Sequence, residues 1–136
     1  MIKYNSVHAH DVRKSIEKEK EFFNIIKDKW NIKELKQTKP FDILDYVDDN
    51  NIYYELKSRN CKYNKYPTTM IGKNKINHII ENNLKCIFIF SFEDGNYYYE
   101  YNQLDELIID KGGRNDRGFP EYKQYCYIPI TKLIKI

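Results

Sequence analysis

Two acidic residues and a lysine lie close together in the chain, with a spacing that could serve metal-assisted chemistry. Asp42 falls in a strand-forming segment, residues 41–47, and Glu55 and Lys57 fall in a second one, residues 52–58. Only Asp and Asn separate the two segments, which is typical of a turn, so the region predicts a β-hairpin. Carboxylates are hard oxygen ligands that suit Mg²⁺ or Mn²⁺, and an adjacent lysine could stabilise charge on a phosphoryl group.

The register of this hairpin decides which acids share a face of the sheet. If the turn is centred within residues 48–51, Asp42 faces Lys57 across the strands. Asp42, Glu55 and Lys57 then project from one face, and Asp45 projects from the other, because side chains alternate along a strand. A loop of three or five residues would exchange Asp42 for Asp45. An ordinary cross-strand ion pair between Asp42 and Lys57, worth under about 1 kcal/mol, would fit the same spacing.

Two amphipathic helices are predicted, one before the hairpin and one after it. The first, residues 12–30, places Glu19 in the middle of its apolar face, where a carboxylate is costly to bury unless it is paired or coordinated. The second, residues 70–83, places Lys73 on the apolar face and Lys75 off it. Glu19 could equally pair with a nearby lysine, and Lys73 could simply cover the edge of the core.

The remaining pattern predicts a second hairpin, a short helix, a loop and a closing strand. In chain order these are strands at 86–92 and 97–101, a helical stretch at 104–109, a loop at 111–121 and a strand at 125–136. The order of helix, hairpin, helix and hairpin predicts an α/β or α+β domain with a central mixed sheet flanked by helices.

Together, the helix acid, the strand acids and the lysines resemble the PD-(D/E)XK nuclease superfamily. Residues 40–42, Pro-Phe-Asp, resemble its Asp motif, and residues 55–57, Glu-Leu-Lys, resemble its Glu-x-Lys motif. The resemblance covers a core of about residues 12–92. It implies a restriction-endonuclease-like fold and metal-dependent hydrolysis of phosphodiester bonds.

The resemblance also implies a role for each charged residue of the site. The implied catalytic set contains Glu19, Asp42, Glu55, Lys57 and Lys73. Its three acids would hold Mg²⁺ or Mn²⁺, Lys57 would be the catalytic lysine, and Lys73 would be an auxiliary cation. Pro40 is not adjacent to Asp42, which departs from the family pattern and keeps Asp45 as an alternative ligand.

Charge is unevenly distributed, although the net charge is only +3. Residues 40–56 carry five acidic residues and no Lys or Arg, whereas residues 57–85 carry seven Lys or Arg and one Glu. This is the pattern of a cation site beside a polyanion track, and an unevenly charged solvated surface would look the same. The residues predicted to contact nucleic acid, with DNA favoured over RNA, are Arg59, Lys62, Lys65, Lys73, Arg114 and Arg117.

Length and composition favour one domain over residues 1–136, with an extension from residue 93 onward. No apolar run approaches the ~18 residues of a membrane span, and no secretory signal is evident, so we expect no membrane partner. Three scattered cysteines are typical of free thiols in an intracellular, reducing compartment.

Two other functions fit the same residues. An RNA endonuclease would need the same site, and a non-catalytic nucleic-acid-binding or assembly protein could retain the fold without hydrolysis. For a nuclease this small, cutting both strands of a duplex would commonly need a second copy, so a homodimer is expected.

Overall fold

The computed structural model describes residues 20–38, 44–112 and 123–136. The chain divides into two compact units, with the boundary between Leu35 and Lys36. In the first unit, residues 20–30 form helix α1, which buries Phe22 and Ile26. These two side chains are four residues apart and therefore share one face of the helix, as the predicted helix requires.

Helix α1 ends where its sequence allows the backbone to reverse. Asn31 has φ 51°, a left-handed conformation that asparagine tolerates better than most residues. The N–H of Ile32 then donates to the carbonyl of Lys27 at 3.0 Å, which satisfies a carbonyl of the last turn.

After α1, the described residues contain nine strands and one α-helix, and the first strand crosses the boundary between the units. In chain order they are β1 (Leu35–Gln37), β2 (Tyr46–Asp48), β3 (Ile52–Ser58), β4 (Thr68–Gly72), α2 (Lys73–Glu81), β5 (Lys85–Phe92), β6 (Gly95–Glu100), β7 (Ile108–Gly112), β8 (Lys123–Pro129) and β9 (Ile134–Lys135). A 3₁₀ turn, Ile130–Lys132, separates β8 from β9.

These strands form two sheets. The larger has the order β1-β2-β3-β5-β6-β9, and the smaller has the order β4-β8-β7. Strands β3 and β5 are parallel, whereas β2 pairs with β3, and β5 with β6, in antiparallel fashion. The larger sheet is therefore mixed, and the predicted α+β class with a restriction-endonuclease-like core is confirmed.

Strand β5 is the centre of the core. It lies between β3 and β6, and residues 86–90 along it are all buried, which explains their continuous apolar sequence. Helix α2 packs beside β4 and β8 and contributes Ile76 and Ile79 to the same core. The strand that carries the candidate acid and lysine, β3, is thus paired along its whole length with the most buried strand.

The first hairpin has a register one residue away from the one that a centred turn predicts. Tyr46 pairs with Tyr54, so the numbers of opposed residues sum to 100, and the same register places Asp45 opposite Glu55. The centred turn, on which the expected pairing of Asp42 with Lys57 depends, is therefore wrong, and the odd-numbered loop that brings Asp45 opposite Glu55 is correct. Asp42 itself lies outside the described residues.

The turn explains the shift of one residue. The Asp48 Oδ1 atom accepts hydrogen bonds from the N–H groups of Asn50, at 2.8 Å, and Ile52, at 2.9 Å. Asn51 takes a left-handed conformation with φ 61°. The side chain of Asp48 thus closes the loop over three residues instead of four.

Three predicted elements differ from the structure. Residues 104–109 are not helical, because Ile108 and Ile109 begin β7 and pair with β8. The predicted closing strand, 125–136, is divided between two sheets, with Pro129 at the break, where a residue without an N–H suits the end of a ladder. Helix α2 starts later than expected because residues 68–72 form β4. The predicted loop at 111–121 falls mostly outside the described residues.

Two further expectations from the sequence concern membrane-spanning helices and the state of the cysteines. Within the described ranges, no helix is both long and apolar enough to span a membrane. Cys61, Cys86 and Cys126 are all free thiols.

Candidate active site

Glu55 is a buried carboxylate on β3, with only 1% of its side chain exposed. Its Oε1 atom lies 3.3 Å from the Nζ of Lys57, and the Nζ of Lys75 contacts the same oxygen. The side chains of Lys57 and Lys75 are 28% and 17% exposed. A buried carboxylate is tolerated only when it is paired, and the two ammonium groups offset the cost of burying Glu55.

Asp45 lies next to Glu55, held there by two hydrogen bonds. The N–H of Asp45 donates to Glu55 Oε2 at 3.2 Å, and the N–H of Leu56 donates to Asp45 Oδ2 at 3.1 Å. The carbonyl of Asp45 also accepts from the N–H and the hydroxyl of Thr38, each at 2.9 Å. Backbone and side chain are both fixed, so the two carboxylates form a preorganised pair.

Lys57 is held in an unusual electrostatic environment. Burial lowers its pKa, the neighbouring ammonium of Lys75 lowers it further, and the carboxylate of Glu55 opposes both effects. The net direction is downward. A lysine with a lowered pKa releases and accepts a proton more readily near neutral pH, which suits it to proton transfer as well as to charge stabilisation.

The structure brings Lys75, and not Lys73, to Glu55. Lys73 is two helical turns before Ile80, so a predicted inner face that contains Lys73 would also contain Ile80, but Ile80 is 42% exposed and Ile79 is buried. Lys75 is four residues before Ile79 and so lies on the inner side of the helix. The placement of Lys75 off the apolar face is therefore wrong.

Lys73 lines a lysine groove that Lys75 also lines. We use this name for a polar cavity of about 740 Å³ that is lined by Lys57, Gly72, Lys73, Asn74, Lys75, Asn77, Lys123, Gln124 and Tyr125. The Nζ of Lys73 lies 3.3 Å from Oε1 of Gln124. Among the described lining residues there are four lysines and no acid, so the groove favours a polyanion.

The other residues predicted to contact nucleic acid differ in their exposure and in their contacts within the protein. Arg59 is engaged within the protein, since it donates to Thr69 Oγ1 at 3.1 Å and to the carbonyl of Met70 at 2.7 Å. Lys62 and Lys65 are exposed. Arg114 and Arg117 lie outside the described residues. Arg59 therefore connects the end of β3 to β4.

A divalent metal ion needs hard oxygen donors held close together. Within residues 20–38, 44–112 and 123–136, no group of three or more His, Cys, Asp or Glu is placed to hold a metal. Glu55 on β3 and Asp45, the residue directly before β2, nevertheless supply two hard oxygen donors. Mg²⁺ is usually held by one or two carboxylates together with water and substrate phosphate, so this pair fits the ion. Glu19 and Asp42, the other predicted ligands, lie outside the described residues.

Sequence reasoning missed Lys75 and Lys123. The signal for Lys75 was its spacing of four from Ile79. The signal for Lys123 was weaker, because its place in the groove depends on the pairing of β8 with β4, which is remote in sequence.

One comparison with known proteins identifies a family for the chain. A family described as "Phage putative PDDEXK endonuclease" matches residues 6–136, nearly the whole chain. Neither the search of curated proteins nor the search of solved structures gave a match. The family match agrees with the resemblance carried by residues 40–42 and 55–57. The chain therefore belongs to this PDDEXK endonuclease family and, through it, to the PD-(D/E)XK nuclease superfamily.

Proposed function

We propose that this protein is a divalent-metal-dependent endonuclease that hydrolyses phosphodiester bonds, with DNA as the favoured substrate. The observation that carries the proposal is the buried carboxylate of Glu55, which has Asp45 on one side and two lysines on the other. Acids that bind a cation and lysines that bind an anion are both needed to hold a metal ion and a phosphate at one point.

In this proposal Asp45 and Glu55 are the metal ligands that the described residues supply. When bound, Mg²⁺ or Mn²⁺ would act as a Lewis acid toward the scissile phosphate. Lys57 would stabilise negative charge on the phosphoryl oxygens and orient the attacking water. Lys75 would position Glu55 and add positive charge beside it. Glu19 and Asp42 remain predicted ligands.

The lysine groove supports a nucleic-acid substrate. Lys57 and Lys75 belong both to the groove and to the cluster around Glu55, so a phosphate bound in the groove would lie beside the proposed metal ligands. Lys73 and Lys123 extend the positive charge away from the acids. Contacts of this kind hold the phosphate backbone without reading base sequence, so the site itself predicts little sequence specificity.

A cleavage assay with two isosteric variants tests the proposal. The native chain, Glu55→Gln and Asp45→Asn would each be incubated with supercoiled plasmid and with DNA and RNA oligonucleotides, in Mg²⁺, Mn²⁺ or EDTA. We expect metal-dependent cleavage by the native chain and none by Glu55→Gln. Failure of the native chain to cut any of these substrates would overturn the proposal.

One observation favours a second candidate, a non-catalytic nucleic-acid-binding protein. Both lysines contact a single oxygen of Glu55, and an internally neutralised cluster of this kind can also be purely structural. Such a protein would bind the oligonucleotides through the groove, and Asp45→Asn would bind them as well as the native chain, without any cleavage by either.

The expected homodimer is part of the proposal for duplex substrates. Two copies would present two lysine grooves, one for each strand. Analytical ultracentrifugation with and without a duplex would measure the stoichiometry, and a single copy on the duplex would restrict the activity to nicking.

A further inference from the structure

A second cavity lies next to the lysine groove and has a different character. Its volume is about 400 Å³, and its walls are mainly aromatic and apolar. We call it the tyrosine pocket, and its principal lining residues are Tyr63, Tyr66, Met70, Phe92 and Tyr127. Tyr66 is 55% exposed and Met70 is 38% exposed, so part of the apolar lining of the pocket is accessible to solvent.

The groove and the pocket are joined along three separate segments of the chain. Gly72 lines the groove and Met70 lines the pocket, and on the paired strand Tyr125 lines the groove and Tyr127 lines the pocket. In the β3 segment, Lys57 lines the groove, and Arg59, which directly follows the strand, lines the pocket. Two residues along a strand cover about 6–7 Å, and a single extended nucleotide can span that distance.

The two tyrosines at residues 63 and 66 differ in how firmly their rings are held. Tyr63 already stacks on Tyr97, with ring centroids 4.0 Å apart and an angle of 6° between the planes, and its hydroxyl donates to the carbonyl of Ile130 at 2.7 Å. Its ring is therefore fixed before any ligand arrives. Tyr66 offers an exposed ring on the other part of the wall.

Charge favours a nucleic-acid ligand over an uncharged apolar one. Arg59 and Lys62 line the pocket, and no described lining residue of the pocket is acidic. Aromatic side chains bind the faces of unpaired bases, while basic residues bind the adjoining backbone. The combination of a basic rim, aromatic walls and a neighbouring lysine groove fits a nucleotide whose base is not stacked between its neighbouring bases.

We infer that the tyrosine pocket receives one unpaired base of a nucleic-acid strand whose phosphates lie in the lysine groove. This inference rests on the proposed function and narrows its substrate class to strands with exposed bases, such as single strands, frayed ends and junctions. A base in a continuous duplex is stacked on both faces and would have to flip out to enter.

Binding in EDTA tests the inference without requiring cleavage. Fluorescence anisotropy would compare two labelled single-stranded oligonucleotides of equal length, one with bases and one that is abasic throughout. We expect the native chain to bind the base-containing strand at least about fivefold more tightly, the lower end of what one stacked base contributes. Tyr66→Ala should remove most of that preference and leave the affinity for the abasic strand unchanged.

Two more variants make the result specific to the pocket. Lys123→Ala should weaken binding of both strands equally, because it removes a phosphate contact from the groove. Leu104→Ala, at a side chain that is 87% exposed and lines neither cavity, should change nothing. Equal affinity of the native chain for both strands, or an unchanged preference in Tyr66→Ala, would overturn the inference. Either result would leave the proposed cleavage activity standing, since that is measured separately.

Discussion

Lys75 and Glu55 are twenty residues apart in the chain, and their contact joins helix α2 to strand β3. It brings a second ammonium to the carboxylate oxygen that Lys57 also contacts. The helix is therefore part of the candidate active site, and its lysine both neutralises the buried acid and depresses the pKa of the neighbouring lysine. Each component of this cluster can be removed separately.

The two lysines of α2 should differ in their effect on cleavage. Lys75→Ala removes a cation in contact with Glu55, and we expect the cleavage rate to fall about 100-fold, as for loss of one electrostatic contact in an active site. Lys73→Ala removes only a groove lysine bonded to Gln124, and its rate should fall less than about tenfold. Rates measured at saturating DNA separate the two, and equal losses would contradict the assignment of Lys75.

Buried and exposed ion pairs should differ in their contribution to stability. Glu55→Gln leaves two ammonium groups facing a neutral amide in a buried setting, and we expect a loss of about 3 kcal/mol in the free energy of unfolding. Glu100→Gln is the matched control, because Glu100 pairs with Lys85 at 3.3 Å on the surface. That change should cost under about 1 kcal/mol. Urea denaturation measures both, and a Glu55→Gln variant as stable as Glu100→Gln would argue against a tightly paired Glu55.

Asp45 and Asp48 are three residues apart and should have separate functions. Asp45→Asn should weaken Mn²⁺ binding at least about tenfold in calorimetry, because one of two carboxylate ligands is lost. Asp48→Ala removes the hydrogen bonds that close the turn and the one from the Tyr54 hydroxyl, at 2.9 Å. It should cost about 2–3 kcal/mol of stability and leave the Mn²⁺ affinity of the folded protein unchanged. Weakened Mn²⁺ binding by Asp48→Ala together with unchanged binding by Asp45→Asn would show that Asp48, and not Asp45, is the metal ligand.

Asp105 should make the fold sensitive to acid. The Tyr99 hydroxyl donates to its carboxylate at 2.6 Å, which lowers the pKa of Asp105, and Lys132 adds a smaller effect in the same direction. A pKa that is lower in the folded state contributes stability above the unfolded value of about 4 and loses it as the pH falls further.

Asp105→Asn should therefore be less stable than the native chain at pH 7. The two proteins should converge in stability as the pH is lowered from 5 to 3. Urea denaturation at each pH measures the difference, and a gap that stays constant across this range would contradict the assignment.

The local parts of the site could be predicted from sequence, and the parts that depend on packing could not. Glu55 and Lys57 are two residues apart on one strand, so their shared face follows from alternation alone. Whether Asp42 or Asp45 shares a face of the sheet with Glu55 depends on whether the loop has an even or an odd number of residues. A shift of one residue in the register moves each side chain of the strand to the opposite face. Nothing in the composition of residues 48–51 distinguishes a three-residue loop from a four-residue loop.

The helix lysine and the smaller sheet required tertiary information. Three isoleucines, Ile76, Ile79 and Ile80, could define the inner face of α2, and only packing against β4 and β8 leaves Ile80 exposed. Strands β4 and β7 could not be predicted from their own sequences, because both pair with β8, which is remote in sequence from β4. The lysine groove and the tyrosine pocket both adjoin this sheet, so neither could have been assembled from local patterns.

If the cluster around Glu55 hydrolyses phosphodiester bonds as proposed, the Lys57→Ala variant should lose cleavage. The measurement is the rate of Mn²⁺-dependent DNA cleavage by the native chain, by Lys57→Ala and by Lys85→Ala, which removes an exposed lysine from a surface ion pair. We predict cleavage by the native chain and Lys85→Ala at similar rates, and a loss of at least about 100-fold in Lys57→Ala. Cleavage by Lys57→Ala at the native rate would show that this cluster is not the active site.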